Sequence, residues 1–221
     1  MAERWSHEMM GRHAAREFAN GDVINLGVGL PGICCDTLPP DIEVILHSEQ
    51  GLVGFGPSIK DPVRFDSRIR SMGSGYVERL PGMSFLSHDE SFLLVNSGRL
   101  DVAVLGALQV DQEGNLANYR RPGTLGGIGG AGDLASHAKR VIVMMTHVTA
   151  SGAPKILRRC TLGLTAQRCV DLIISDVAVM QVADGQIVLK EMAPGWTIEA
   201  IQAITAAPLL ASPGLHEMKT V

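Results

Sequence analysis

The sequence predicts an α/β fold: an open, mainly parallel sheet with flanking helices and an added antiparallel hairpin near the C-terminus. Three observations lead there. Apolar runs such as Val102-Ala103-Val104-Leu105 and Val141-Ile142-Val143-Met144-Met145 do not alternate with polar residues, as befits strands covered on both faces. Segments with helical spacing separate several of these runs. Glycine-rich loops follow strand-like runs at Gly27–Gly32, Gly51–Gly56 and Gly126–Gly132, and open α/β sheets bind ligands at the carboxyl ends of their strands.

The elements follow in order. Ser6 to Asn20 reads as a helix, because Met10, Ala14 and Phe18 share a face while Arg12, Arg16 and Glu17 point outward. Gly21 then suits a left-handed C-cap. Val23–Leu26 is a short strand, and Pro31 opens a short helix that must end before Pro39-Pro40. Glu43–Leu46 is the next strand. Residues 57–82 read as loop and carry Arg64, Arg68 and Arg70. A helix over Ser87–Ser97 precedes a buried strand at Val102–Gly106, and Leu108–Asn118 continues with turn signals at Asp111 and Gly114. Another helix starts near Asp133 and leads to the central strand Val141–Met145. Strands follow at Leu172–Ile174, Val177–Val182 and Gln186–Leu189, the last two joined as a hairpin at Asp184-Gly185. Thr197–Ala206 is the final helix, and residues 208–221 form a tail with little pattern. No repeat or linker divides the chain, so residues 1–221 are read as one domain with its core over 6–207.

Composition narrows the function classes. The 221 residues include 25 glycines, 46% are hydrophobic and only 19% are charged, against about 25% in average chains. Such a surface suits burial against another subunit; a well-covered parallel sheet is the alternative. The net charge is −4 and aromatic residues are 4%, with no basic stripe, so nucleic acid is not an expected partner. No apolar run reaches the ~18 residues of a membrane span. The first eight residues lack the apolar region of a secretory leader, which makes the cytoplasm the expected location. Cys34, Cys35, Cys160 and Cys169 lack metal-type spacing and read as small apolar core residues; no metal site is expected.

The stretch from Val44 to Pro57 holds the chemistry. An apolar run ends in Glu49, and Gly51, Gly54 and Gly56 follow, which lets another molecule approach the backbone. If the three glycine loops converge, their amides and the start of the helix near Asp133 could stabilise an oxyanion. A carboxylate beside such donors suits acyl transfer with Glu49 as nucleophile, provided the electrophile is activated, as a thioester is. A salt-bridging glutamate at a strand end is the plainer reading, and the residues alone leave both open. Gly27-Val28-Gly29-Leu30-Pro31-Gly32 matches G-x-G-x-x-G literally, with Glu49 about 20 residues on. A dinucleotide crossover needs a full helix, however, and only a few residues separate Gly32 from Pro39. Ser48 lacks a nucleophile elbow. His47 is expected to face away from Glu49 as a packed, hydrogen-bonded histidine, and His137 and His147 have no metal or triad spacing.

The run His47-Ser48-Glu49-Gln50-Gly51-Leu52-Val53-Gly54 resembles the signature of family I coenzyme A transferases, whose usual core is S-E-N-G. Asn25-Leu26-Gly27-Val28-Gly29-Leu30-Pro31, Leu80-Pro81-Gly82, Val104–Val110, Gly114–Asn118, Gly126–Leu134 and Lys155–Thr161 agree in order. The resemblance spans roughly residues 8 to 205 and is strongest to the β (B) subunits of 3-oxoacid and 3-oxoadipate CoA-transferases. It implies a NagB/RpiA-like α/β fold and a Glu49 that carries CoA as a glutamyl thioester between a donor such as succinyl-CoA and a 3-oxo acid. It also implies that Asn25, Gly27 and Gly29 approach the CoA arm, that Gly129, Gly130 and Ala131 line the oxyanion and acyl pocket, and that Ser48, Gln50 and Gly51 support the loop. Coenzyme A would be a substrate with no permanently bound cofactor, and an α subunit would complete an α2β2 hetero-oligomer. A CoA-ester hydrolase or a C–C-cleaving enzyme on the same fold is the alternative.

Three departures from that pattern stand out. Gln50 replaces the usual Asn, which tolerates left-handed backbone better. Gly132 stands where Met is usual and is expected to change the pocket volume. The 58–79 segment does not follow the usual D-L-I-N-A-G pattern, and one of its arginines could recognise a distal carboxylate or simply be solvated.

Overall fold

A computed structural model describes residues 2–121, 123–124 and 126–218. Helix α1 (His7–Ala15) is capped by the Ser6 hydroxyl, which accepts from the Met9 N–H. It stops at the Arg16 C-cap, short of the predicted Asn20. β1 (Val23–Leu26) runs into a 3₁₀ helix, Leu30–Asp36, with Pro31 in its first turn. β2 (Ile45–Ser48) lies two residues later than the apolar run suggested. β3 (Leu52–Val53) precedes the segment read as loop, which itself holds the small hairpin β4 (Arg70–Ser71) and β5 (Gly75–Tyr76), and β6 (Ser84–Phe85) follows it. α2 (His88–Asn96) starts with a capping box in which Ser87 and Glu90 satisfy each other's N–H.

β7 (Val102–Gly106) precedes β8 (Gln109–Asp111) and β9 (Leu116–Ala117). Then come α3 (Ala131–His137), β10 (Arg140–Met145), β11 (Ile156–Leu157) and β12 (Leu172–Ser175). β13 (Ala178–Ala183), β14 (Gln186–Met192), α4 (Ile198–Ala203) and β15 (Leu209–Glu217) finish the chain. Asp184 and Gly185 take φ of 52° and 71° between β13 and β14. Two positive φ values are what a two-residue type I′ hairpin requires.

Ten strands form one sheet in the order β15-β14-β13-β12-β10-β7-β1-β2-β3-β6. The five central strands, β2, β1, β7, β10 and β12, are all parallel; antiparallel strands extend both sides. Alternation along the strands builds two cores. Ile24, Val104, Ile142 and Ile174 pack with Met10 and Ala14 of α1 and with Cys34 of the 3₁₀ helix. Leu105, Val143 and Ile173 pack with Val95 of α2, Leu134 of α3 and Ile201 of α4. Cys160 and Cys169, expected in the core, are only partly buried. No helix among the described residues is long and apolar enough to cross a membrane.

The expected tail is instead a strand. β15 pairs in parallel with β14, and the Met218 N–H reaches the Met192 carbonyl at 3.0 Å. Among the described residues it has no strand on its outer side, and most of its own residues are exposed. The alternating pattern that marks a half-buried strand is therefore missing from its sequence.

Candidate functional site

The central strands end together, and a cleft of about 480 Å³ opens beyond the tips of β1 and β7. Asn25, Gly27, Glu49, Gly106, Tyr119 and Gly130 are among its walls. Glu49 arrives there because β2 stops at Ser48 and a tight turn follows, closed by the Gly51 N–H on the Ser48 carbonyl at 2.8 Å. Gly51 has φ 110°, and the Leu86 carbonyl fills the space a side chain would need. The Ser48 hydroxyl donates to Gln50 Oε1 at 2.7 Å and accepts from the Met72 N–H at 3.0 Å. Gln50 Nε2 donates to the Arg70 carbonyl. Ser48 and Gln50 together pin the turn to the β4–β5 hairpin. Among the described residues, positive φ outside glycine occurs only at Arg168 and Asp184. Left-handed tolerance is thus not what position 50 needs; reach toward Arg70 is.

The hairpin is itself keyed to the loop after β1. A Cβ on Gly32 would strike the Gly73 carbonyl, and one on Gly73 would lie 2.7 Å from the Leu26 carbonyl oxygen. The Ser74 hydroxyl donates to the Gly32 carbonyl at 2.9 Å. The dinucleotide-like glycines therefore serve backbone packing. Gly29, at φ 86° and ψ −126°, turns the chain into the 3₁₀ helix, a conformation that only glycine adopts readily. It is exposed and is not part of the cleft wall, unlike Gly27 and Val28.

The half-buried carboxylate of Glu49 has no hydrogen-bond or ion-pair partner among the described residues, and it contacts Gly130. A Cβ on Gly130 would collide with Glu49 Oε2 and stand 2.8 Å from the Phe92 ring of α2. Gly129, Gly130 and Ala131 all border the cleft, and no backbone hydrogen bond among the described residues uses the Gly129 or Gly130 N–H. α3 begins at Ala131, two residues before the predicted start.

Several expectations change. Only two of the three glycine loops converge: Gly51–Gly56 packs under Leu86 and Leu80 rather than lining the cleft. Gly132 lies behind the wall, where a Cβ would sit 3.3 Å from Ile128 Cδ1. A larger residue there would narrow the cleft indirectly, by pressing on Ile128. None of the three loop arginines lines the cleft. Arg64 pairs with Glu78 at 3.0 Å, Arg68 with Asp66 at 2.7 Å, and Arg70 lies over the Tyr76 ring.

His47 does not face away from Glu49. The imidazole points toward α2, and the Glu49 carboxylate, in the turn after β2, lies by Gly130 on the side of the Phe92 ring of the same helix. Its Nδ1 lies 2.9 Å from Asn25 Nδ2, its register partner on β1, and its Nε2 lies 2.9 Å from the Ser91 hydroxyl on α2. Burial pushes its pKa down to about 4. Met72, Phe92 and Tyr119 around the cleft were not anticipated, because no local pattern announces them.

The profile of the coenzyme A transferase family matches residues 7–203. The chain belongs to the coenzyme A transferase family. It is 39% identical over 210 residues to the beta chain of a probable coenzyme A transferase of Bacillus subtilis, covering 95% of each. It is 37% identical to the B chain of the 3-oxoadipate CoA-transferase of Acinetobacter baylyi, over 93% of this chain and 95% of that one. Against a mouse mitochondrial succinyl-CoA:3-ketoacid coenzyme A transferase (2B) the identity is 41%, and 95% of this chain corresponds to 41% of the longer protein. Among solved structures, an acyl-CoA transferase from Escherichia coli O157:H7 in a thioester complex with CoA superposes with TM-score 0.73 at 23% identity, over 99% of this chain and 43% of that one. The decarboxylase AibA/AibB superposes with TM-score 0.69 at 20% identity, over 96% of this chain and 88% of that one. The CoA-transferase fold thus also appears in a protein named for different chemistry, and reaction type has to be argued from the site.

Proposed function

We propose that this chain is the β subunit of a CoA-transferase and that Glu49 is its covalent nucleophile. The observation that carries the reading is a carboxylate at a strand tip, without a partner among the described residues and held against Gly130 in a glycine-walled cleft. Glu49 attacks the thioester carbonyl of a donor such as succinyl-CoA, giving a mixed anhydride and CoA thiolate. The thiolate attacks the glutamyl carbonyl and releases the donor acid, leaving a glutamyl-CoA thioester. An acceptor carboxylate, a 3-oxo acid in this proposal, attacks that thioester and frees the thiolate again. The thiolate then takes the acceptor acyl group, and Glu49 returns as carboxylate. The Gly129 and Gly130 amides suit each tetrahedral oxyanion, an interaction worth about 10²–10³ in rate per donor elsewhere. Asn25 and Gly27 border the path of the CoA arm.

An α subunit supplies the remaining wall, in an α2β2 assembly placed in the cytoplasm. Val28, Met72 and Ile128 at the cleft rim are 66%, 49% and 42% exposed, which suits apolar contact with a second chain. The test incubates the assembled protein with acyl-CoA and no acceptor, followed by mass spectrometry of the Glu49 peptide. A CoA adduct on Glu49 is expected. Release of free acid and CoA without an adduct would favour the hydrolase reading instead.

A further inference from the structure

Asn25, His47 and Ser91 form a buried chain that neither the nucleophile nor the oxyanion donors explain. The three residues are 2%, 0% and 0% exposed. They come from two neighbouring strands and the helix laid across them, with 2.9 Å at both links. One end of the chain opens on the cleft, since Asn25 is a wall residue. A neutral imidazole carries one N–H and one acceptor nitrogen, so its two neighbours must play opposite roles. With the Asn25 amide donating to Nδ1, the proton sits on Nε2 and is donated to Ser91. The Asn25 amide oxygen is then the atom left without a partner among the described residues, and it is not sealed from solvent.

We propose that His47 is a positioning residue for acyl-CoA: it holds the Asn25 carboxamide so that its oxygen accepts an amide N–H of the CoA arm. The Ser91 hydroxyl accepts the Nε2 proton that this tautomer carries. The inference rests on the CoA-transferase reading and adds to it a residue that touches neither substrate nor nucleophile. Loss of the positioning shows in acyl-CoA affinity more than in the chemical step, because Glu49 and Gly130 are untouched.

The experiment is a double-mutant cycle on the protein assembled with its α subunit, reading KM for acyl-CoA, KM for the acceptor acid, and kcat. Asn25→Ala, His47→Phe and Ser91→Ala should each raise KM for acyl-CoA roughly fivefold, the scale of one hydrogen bond, with smaller changes in kcat and acceptor KM. The doubles Asn25→Ala/His47→Phe and Asn25→Ala/Ser91→Ala should be no worse than Asn25→Ala alone, since His47 and Ser91 act only through Asn25. Penalties that multiply in the doubles, or an unchanged KM in both His47→Phe and Ser91→Ala, overturn the proposal. Should His47→Phe fail to fold, the Ser91→Ala cycle decides alone. Wild-type protein that forms the Glu49 adduct while the cycle is additive refutes the positioning role only. Wild-type protein that forms no adduct refutes the transferase reading and this inference with it.

Discussion

Glu49 reacts in this scheme because its neighbours are backbone. Gly130 is the sharpest case, since a single methyl there would meet both the carboxylate and the Phe92 ring. Gly130→Ala is expected to lower kcat about 100-fold, the cost of displacing a reacting group by roughly 1 Å, while the melting temperature changes little. Steady-state kinetics beside thermal unfolding checks both halves. Gln50 makes a second case. Gln50→Asn shortens the side chain by one methylene and takes its amide away from the Arg70 carbonyl. A loss of about 1 kcal/mol in denaturant unfolding is expected, with kcat reduced severalfold as the Glu49 turn loosens. At this scale Glu49 was legible as a candidate, because a carboxylate between an apolar run and three glycines is a local pattern. The partnership of Asn25 with His47 was not. It depends on strand register, which places residues 22 positions apart side by side.

Among the elements, the long apolar strands and the Asp184-Gly185 hairpin could be read directly, since continuous burial and turn chemistry both leave marks in sequence. The β4–β5 hairpin left none. Its strands are two residues each, and what holds it is contact with a loop some 40 residues earlier. Gly32→Ala is therefore expected to destabilise the fold by about 1–3 kcal/mol, as overpacking against unyielding atoms does. It should also reduce activity, because Ser48 and Gln50 anchor the Glu49 turn to the same hairpin. Equilibrium unfolding combined with the Glu49 adduct yield would show both. The β15 strand was missed for another reason: an edge strand exposed along most of its length has no hydrophobic rhythm to read.

For the molecule as a whole, two buried histidines set a lower limit in pH. His147 bridges the Ser175 and Thr205 hydroxyls at 2.9 and 2.7 Å, and burial pushes its pKa, like that of His47, down to about 4. The unfolded chain titrates each near 6.5. Below that value the unfolded state binds more protons than the folded one, so stability is full above about pH 6.5 and drains away as pH falls toward 4. Each histidine is expected to cost about 3 kcal/mol across that window. Urea unfolding at pH 7.5 and 4.5 should show the loss, and His47→Gln/His147→Gln should show a shallower slope. Completion of the cleft belongs to this scale too. The isolated chain is expected to give no CoA transfer until the α subunit is added, with rate and complex formation saturating together in a titration.

Gly27, Gly32 and Gly73 meet backbone to backbone, with no side chain between them to trim or enlarge. Such a joint cannot drift by small steps, because any first substitution collides before a second can relieve it. In the proposed transferase, changes in acid preference on this chain are therefore expected through cleft side chains such as Val28, Met72 and Ile128, which can vary in size while the joint keeps Glu49 in place.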